Sequence, residues 1–344
     1  MITASDLIHL PYTPDLTEGG IAYACRSLAY TYDRMGGAPP DRLRRIAAGV
    51  AVELAFRRHL AAQEVAFDVL GATPFTAPDR YDVSLGGHRC DIKSFLITHR
   101  DQIRQIRAHP ELVLDAPALV PLDQFTSEGH HSQDIYTFAF LLGLTAASQG
   151  DLRRAIDAGK PAFLIHALAE TWARPKLWLP LEDLALKSEC ASPIRVEIGG
   201  MDGGRAFVTS RIELPPKTRI AIGETFHSLA YIHPERLPDA RIGIHCPRLG
   251  EATILHTHEW GNIWVYGMDI LLAGWLTHEA FRRKAHVLPV GSRTFQYART
   301  RTKNLAVPMA NLQPLGGLFE RVRAWGKERE SGEYDHRAGQ GNLG

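Results

Sequence analysis

Asp79-Arg-Tyr-Asp82-Val-Ser-Leu-Gly86-Gly87-His-Arg-Cys-Asp91-Ile-Lys93-Ser-Phe-Leu-Ile97 is the stretch that decides the fold. Two alternating runs flank Gly86-Gly87, and both glycines take positive φ without a Cβ penalty, so the stretch predicts a hairpin with a two-residue loop. Such a loop fixes the register: Leu85 opposes His88, Ser84 opposes Arg89, Val83 opposes Cys90, and Asp82 opposes Asp91. Lys93 lies two residues beyond Asp91 and therefore on the same face of its strand. Directly opposed like charges destabilise a sheet. A divalent cation held between the two carboxylates removes that cost. The register thus predicts a metal site at Asp82 and Asp91, with the Lys93 ammonium beside it.

Working outward, a breaker cluster at Met35-Gly-Gly-Ala-Pro-Pro40 ends a helix expected over residues 17–35. Asp41 then caps a long helix running to about Gln63, with Leu43, Ile46, Val50 and Leu54 at helical spacing. Val65 to Val69 reads as a short strand before the hairpin. After it, 99–109 reads as a helix, 110–129 as a loop, Ile135 to Leu142 as a buried strand, 151–158 as a helix and 162–168 as a further apolar strand. This order is a mixed α/β layer arrangement. From Ile194 to about Val290 short alternating runs punctuated by Gly and Pro predict a β-rich sandwich or barrel, with one helix over 269–284. The expected segments are 1–40 (helical), 41–170 (α/β core), 171–315 (β-rich) and 316–344. The last holds a short helix at Leu318 to Trp325 and a polar, Gly-rich tail of disordered composition.

Composition narrows the function classes. The 344 residues carry 39 Lys+Arg against 38 Asp+Glu, a formal charge of +1, and 45% are hydrophobic. That balance excludes a histone-like polycation and global disorder, yet leaves room for a local basic surface. No run approaches the roughly 18 apolar residues of a membrane-spanning helix, and the first residues lack a signal-peptide pattern. The expectation is a cytoplasmic protein without a membrane partner. Cys25, Cys90, Cys190 and Cys246 are scattered, so no C-x-x-C metal or redox motif is present.

Asp82 followed by Asp91-Ile92-Lys93 resembles the D…(D/E)xK core of the PD-(D/E)xK nuclease superfamily. The resemblance covers about residues 41–170 and implies a restriction-endonuclease-like mixed sheet flanked by helices, of order α-β-β-β-α-β, joined here to a second β-rich domain. Glu53, in Gly49-Val-Ala-Val-Glu53, stands where the family often places an acid on the helix before the sheet. Gln133-Asp-Ile-Tyr136 resembles the Gln/Tyr element of RecB-like members. The family's proline does not directly precede Asp82, Pro78 being four residues back. By resemblance, Asp82, Asp91 and the Ile92 carbonyl hold Mg²⁺ (Mn²⁺ substituting), and Glu53 serves the same ion or a second one. Lys93 orients or deprotonates the attacking water or stabilises the transition-state charge, and Gln133 and Tyr136 support the site. The implied activity is a metal-dependent endonuclease acting on DNA, in DNA processing or antiviral defence. Double-strand cutting implies a homodimer or a partner protein, engaged through the β-rich domain.

Other clusters keep alternatives open. Arg100, Arg104 and Arg107 share one helical face suited to phosphates. Arg293, Arg299, Arg301 and Lys303 surround Phe295 and Tyr297, a pattern suited to nucleic-acid backbone and base stacking. Both are read equally as ordinary solvated surface. His256-Thr-His258-Glu259 on a strand places two imidazoles on one face, so a β-barrel metalloenzyme is one rival reading. The other is a non-catalytic binding module on a nuclease fold. Convergence of Glu53, Asp82, Asp91 and Lys93 is what separates the three.

Overall fold

A computed structural model describes residues 1–28, 38–69, 82–127, 130–146, 148–250 and 252–326. The chain opens with strand β1 (Ile8–Leu10), helices α1 (Pro14–Ser27) and α2 (Pro39–Ala62), and strands β2 (Phe67–Asp68), β3 (Val83–Leu85) and β4 (His88–Ile97). Helix α3 (Arg100–Ala108), β5 (Pro117–Pro121), α4 (Leu122–Phe125), β6 (Ile135–Leu144) and α5 (Gln149–Asp157) follow. Then come β7 (Leu164–Ala167), α6 (Glu170–Ala173), β8 (Ala185–Ser188), β9 (Ile194–Met201), β10 (Phe207–Leu214), β11 (Arg219–Ala221), β12 (Ser228–Pro234), β13 (Ile242–His245), β14 (Thr253–Leu255) and β15 (Gly261–Asn262). Strand β16 (Tyr266–Thr277), α7 (His278–Lys284), β17 (His286–Leu288), β18 (Asn304–Pro308) and a last helix, α8, at residues 315–326 complete the described chain.

These elements form two compact units, and the division is not collinear with the sequence. The first comprises residues 1–16, 49–144 and 267–344, the second 17–48 and 145–266. This corrects the expected boundaries of 41–170 and 171–315. The chain leaves the first unit after β6 and returns to it with β16.

The first unit carries a mixed sheet of strand order β1-β16-β6-β4-β3-β2. Within it β2, β3 and β4 are successively antiparallel, whereas β6 runs parallel to β4. Strands β6 and β16 are buried along almost their whole length, which is why both read as continuous apolar runs. That continuity made 269–284 read as one helix. Only its end, 278–284, is helical, begun by the Thr277 hydroxyl accepting from the Ala280 N–H. A smaller sheet, β17-β18-β5, lies in the same unit. Residues 117–121 within the expected loop are therefore a strand, disguised by the prolines at both its ends but with Ala118, Leu119 and Val120 buried. One core joins Phe95 and Ile97 of β4, Phe138 and Phe140 of β6, Ile103 and Ile106 of α3, Val120 and Phe281. Each such side chain contributes about 1.5–3 kcal/mol on burial.

Helix α2 begins at Pro39, two residues before the expected Asp41, because proline's fixed φ suits the first helical turn. Asp41 lies in that turn and pairs with Arg44 at 3.0 Å. A Cβ added at Gly49 would meet Ser94 Oγ at 3.7 Å, so that turn of α2 lies against β4.

The second unit is built on two antiparallel sheets, β10-β9-β12-β7-β15 and β11-β8-β13-β14. Val196 and Ile198 of the first meet Leu186, Ile242 and Ile244 of the second in one core. The β-rich expectation holds in this sandwich-like form, with β7 drawn into it. The far face of the five-stranded sheet is covered by Ile21, Ala24 and Cys25 of α1 and by Leu43 and Ala47 of α2. The end of the helix expected over 17–35, residues 79–81 of the hairpin stretch and the tail at 327–344 lie outside the described residues.

Candidate active site

The hairpin has the expected register. Gly86 and Gly87 take φ of 56° and 85°, and Val83, Ser84 and Leu85 pair with Cys90, Arg89 and His88. A backbone bond of 3.2 Å runs from the Asp82 N–H to the carbonyl of Cys90, which is already the ladder partner of Val83, so the strand bulges there and Asp82 lies near Asp91 without being paired with it in register, unlike the expected opposition of the two. The Asp82 side chain turns back on the chain, and its Oδ2 accepts the Ile92 N–H at 2.5 Å. Its own carbonyl accepts from the Arg57 guanidinium at 2.8 Å. Lys93 Nζ lies 2.5 Å from Asp91 Oδ2 and donates to Gln124 Oε1 of α4 at 2.9 Å.

Electrostatics follow from that geometry. Burial, and then the repulsion of Asp91, push the Asp82 carboxyl up to about 7, against the opposing pull of the Ile92 N–H, Lys93 and Arg57. Two neighbouring carboxylates offer hard oxygen donors, chemistry that suits Mg²⁺ or Mn²⁺ and not a soft metal.

Glu53 stands four residues after Gly49 and four before Arg57 on α2, hence on the helical stripe that meets β4 and the Asp82 carbonyl. The helix thus carries Glu53 past the hairpin. However, among the described residues no three His, Cys, Asp or Glu side chains are grouped to hold a metal. Asp82, Asp91 and Lys93 are brought together; Glu53 is not gathered with them into one ligand set. Ile92 is buried, and its N–H is occupied by Asp82.

A second polar cluster adjoins this one. Tyr136 lies directly across the parallel β4–β6 ladder from Asp91 and is buried. Its hydroxyl is 3.1 Å from His278 Nδ1. The His278 ring stacks on Phe125 at 4.1 Å and on His130 at 5.1 Å. His130 in turn lies 3.5 Å from the Asp134 carboxylate, and its Nε2 is 3.1 Å from the Gln124 carbonyl. Helix α4 therefore links the clusters, its Gln124 side chain holding Lys93 and its carbonyl meeting His130. Burial, reinforced by His130, pushes the His278 imidazole below its ordinary value, while burial, Asp91 and Asp134 push the Tyr136 phenol up. Gln133 is half-buried one residue before Asp134. The sequence points to Tyr136 but gives no sign of His278. His278 reaches the site through the place of β16 beside β6, and no local signal announces it.

Two basic segments meet in the same unit. The Gln102 side chain of α3 donates to the Phe295 carbonyl at 2.8 Å, tying the loop at 289–303 to that helix. Arg100, Arg293, Arg299, Arg301 and Lys303 are exposed. Arg104 pairs with Asp101 at 3.2 Å and Arg107 with Asp269 at 2.5 Å, so these two guanidiniums have acidic neighbours within the fold. Phe295 packs edge-on to Phe140 and Tyr297 edge-on to Phe95. These contacts tie the loop to the core, with Phe295 half-buried and Tyr297 exposed. The Lys303 carbonyl accepts the Leu122 N–H at 2.9 Å, so the loop ends at α4.

His256 and His258 follow β14 in a turn closed by Glu259, whose Oε2 accepts the His256 N–H at 2.6 Å. They do not lie on a strand, and the strand geometry required of a β-barrel metal site is absent there. No described helix is long and apolar enough to cross a membrane. No protein-family model, no curated protein and no solved structure matches the chain.

Proposed function

We propose that the first unit is a metal-dependent nuclease of the restriction-endonuclease-like type, hydrolysing phosphodiester bonds of DNA. The observation that carries this reading is the meeting of Asp82, Asp91 and Lys93 on one face of a hairpin. Support also comes from the sheet. Apart from β5 and α4, inserted between α3 and β6 and outside the main sheet, the order is α2-β2-β3-β4-α3-β6 with β6 parallel and adjacent to β4, as the resemblance implies.

Asp82 and Asp91 would hold Mg²⁺ or Mn²⁺, with the Ile92 carbonyl and Glu53 as further donors by resemblance. Such an ion supplies Lewis-acid polarisation of a phosphoryl oxygen and acidifies a bound water. Lys93, steadied by Gln124, brings its positive charge to the same face, where it orients the attacking water and offsets charge developing on the phosphate. Arg100 of α3 and the exposed basic residues of the 289–303 loop, which Gln102 ties to that helix, supply phosphate contacts. Cutting both strands with one such site requires a second copy or a partner protein.

A second reading, a nuclease-like scaffold without chemistry, draws on the 2.5 Å Lys93–Asp91 ion pair and on the absence of a three-ligand group among the described residues. Cleavage of supercoiled plasmid and of single-stranded DNA with Mg²⁺, Mn²⁺ or EDTA separates the two. Metal-dependent cutting that falls on the order of 100-fold or more in both Asp91→Ala and Lys93→Ala is the expected result. Cutting retained by both variants rejects the site, and DNA binding without cutting by the wild type leaves the scaffold.

A further inference from the structure

The second unit holds a cavity that none of this chemistry uses. It lies between α1 and the outer face of the five-stranded sheet, and its volume is about 350 Å³, the lower end of the range of small-molecule sites. Its walls are aromatic: Phe163, Phe207, Tyr231 and Trp264. Phe163 stacks on His233 at 3.8 Å, and Phe207 lies nearly parallel to Tyr231 at 6.3 Å. Gly199 is what lets the Tyr231 ring lie across the sheet, since a Cβ there would fall 2.2 Å from Tyr231 Cε1.

Two carboxylates line the cavity, the exposed Glu18 on α1 and Glu197 on the sheet, and of these Glu197, its side chain 16% exposed, is the one held among the aromatic walls. Its Oε1 accepts from the Tyr231 hydroxyl at 2.8 Å and its Oε2 from Arg211 Nε at 2.9 Å. These bonds fix the group's orientation. A carboxylate accepts about four hydrogen bonds and donates none when ionised, so each oxygen retains capacity for one more donor. The cavity therefore selects a flat ring carrying two adjacent N–H groups. Among the nucleobases guanine alone presents that pair on its Watson–Crick edge, at N1 and N2. Adenine, cytosine and thymine each present a donor beside an acceptor. Arg211 and Arg26, both exposed, stand at the lining's solvent side, where a phosphate can meet them.

We propose that this cavity binds a single unstacked guanine, its Watson–Crick edge on Glu197 and its faces against the aromatic walls. The selection of a nucleobase over other heterocycles rests on the nuclease reading of the first unit; the selection of guanine among the bases does not. Calorimetric titration of the full chain with guanosine, 5′-GMP, inosine, adenosine and cytidine tests it without metal or cleavage. Expected are saturable binding of guanosine and GMP, and at least tenfold weaker binding of inosine, which lacks the N2 donor. Glu197→Gln, which replaces one acceptor by a donor, is expected to lose at least tenfold as well. Ala22→Trp, at an exposed α1 position on the lining, blocks the cavity without touching Glu197 and is expected to abolish binding, whereas Asp91→Ala leaves it unchanged. No saturable heat from guanosine or GMP at millimolar concentration overturns the proposal. So does equal binding of all the nucleosides, or binding that survives both cavity variants. Guanosine binding by a protein that cuts no DNA rejects the nuclease reading and keeps the cavity, and cleavage without guanosine binding does the reverse.

Discussion

Asp82→Asn is expected to stabilise the metal-free protein, and by an amount that depends on pH. The substitution is nearly isosteric and keeps an oxygen that accepts the Ile92 N–H, while deleting one of two neighbouring charges. In the folded chain the Asp82 carboxyl is held at about 7 against an ordinary 3.8. Between those values the folded state binds a proton that the unfolded state has released, so stability falls as pH rises through this window. At about 1.4 kcal/mol per tenfold, the ceiling on that loss is about 4 kcal/mol. Lys93 and Arg57 relieve part of the repulsion. Urea unfolding in EDTA should therefore show Asp82→Asn more stable than wild type by roughly 1–3 kcal/mol at pH 8 and within about 0.5 kcal/mol at pH 4, near the foot of the window. Saturating Mg²⁺, near 100 times its dissociation constant, should return about 2.7 kcal/mol to wild type and little to the variant. No gain at pH 8, or an equal gain at both pH values, refutes the account of a strained acidic pair.

Three further perturbations test other features. Gly86→Ala places a Cβ 2.6 Å from the Trp325 ring at φ +56°, so a loss of about 1–3 kcal/mol in chemical denaturation is expected; a change under about 0.5 kcal/mol contradicts that packing. In duplex-DNA binding measured against salt, Arg299→Ala and Lys303→Ala should each lower the slope by roughly 0.9. Arg107→Ala, its guanidinium held by Asp269, should leave the slope unchanged, and equal effects from all three would remove the loop from the interface. Burial, then Glu197, pushes the Cys25 thiol up to about 12, leaving roughly one thiolate in ten thousand at pH 8. All four cysteines are buried, so a thiol reagent should find almost none in minutes on the native protein and all four after denaturation; rapid native labelling of Cys25 would contradict its burial.

What could be read from the sequence was what adjacent residues decide among themselves. Gly86-Gly87 sets a two-residue loop, and that loop sets the register that pairs Val83 with Cys90; the bulge that also brings the Asp82 N–H to the Cys90 carbonyl has no signal in the sequence. Helix α2 and strand β6 were equally legible, one through its periodic apolar stripe and the other through its unbroken apolar run. Legibility failed where the deciding partner is distant. Residues 270–276 are apolar throughout, and periodicity cannot distinguish such a run from a buried helix; only their place between β1 and β6 makes them a strand. His278 inherits that obscurity, and Pro117–Pro121 reads as loop until β18 pairs with it. His256 and His258 show the converse, a suggestive spacing emptied of its meaning by a turn.

The return of the chain at β16 bears on synthesis. A nascent polypeptide that has emerged only as far as residue 265 possesses β1, β6 and the whole acidic hairpin, but not the strand that joins β1 to β6. Until then β6 is an edge with unpaired backbone groups, an invitation to intermolecular pairing, and closing the sheet means linking segments at opposite ends of the message, a slow event by contact order. A ribosome-bound chain thus completes its candidate nuclease sheet only after the intervening β-rich unit has been translated. For the same reason, excising residues 41–170 as a minimal fragment removes the neighbour that β6 requires.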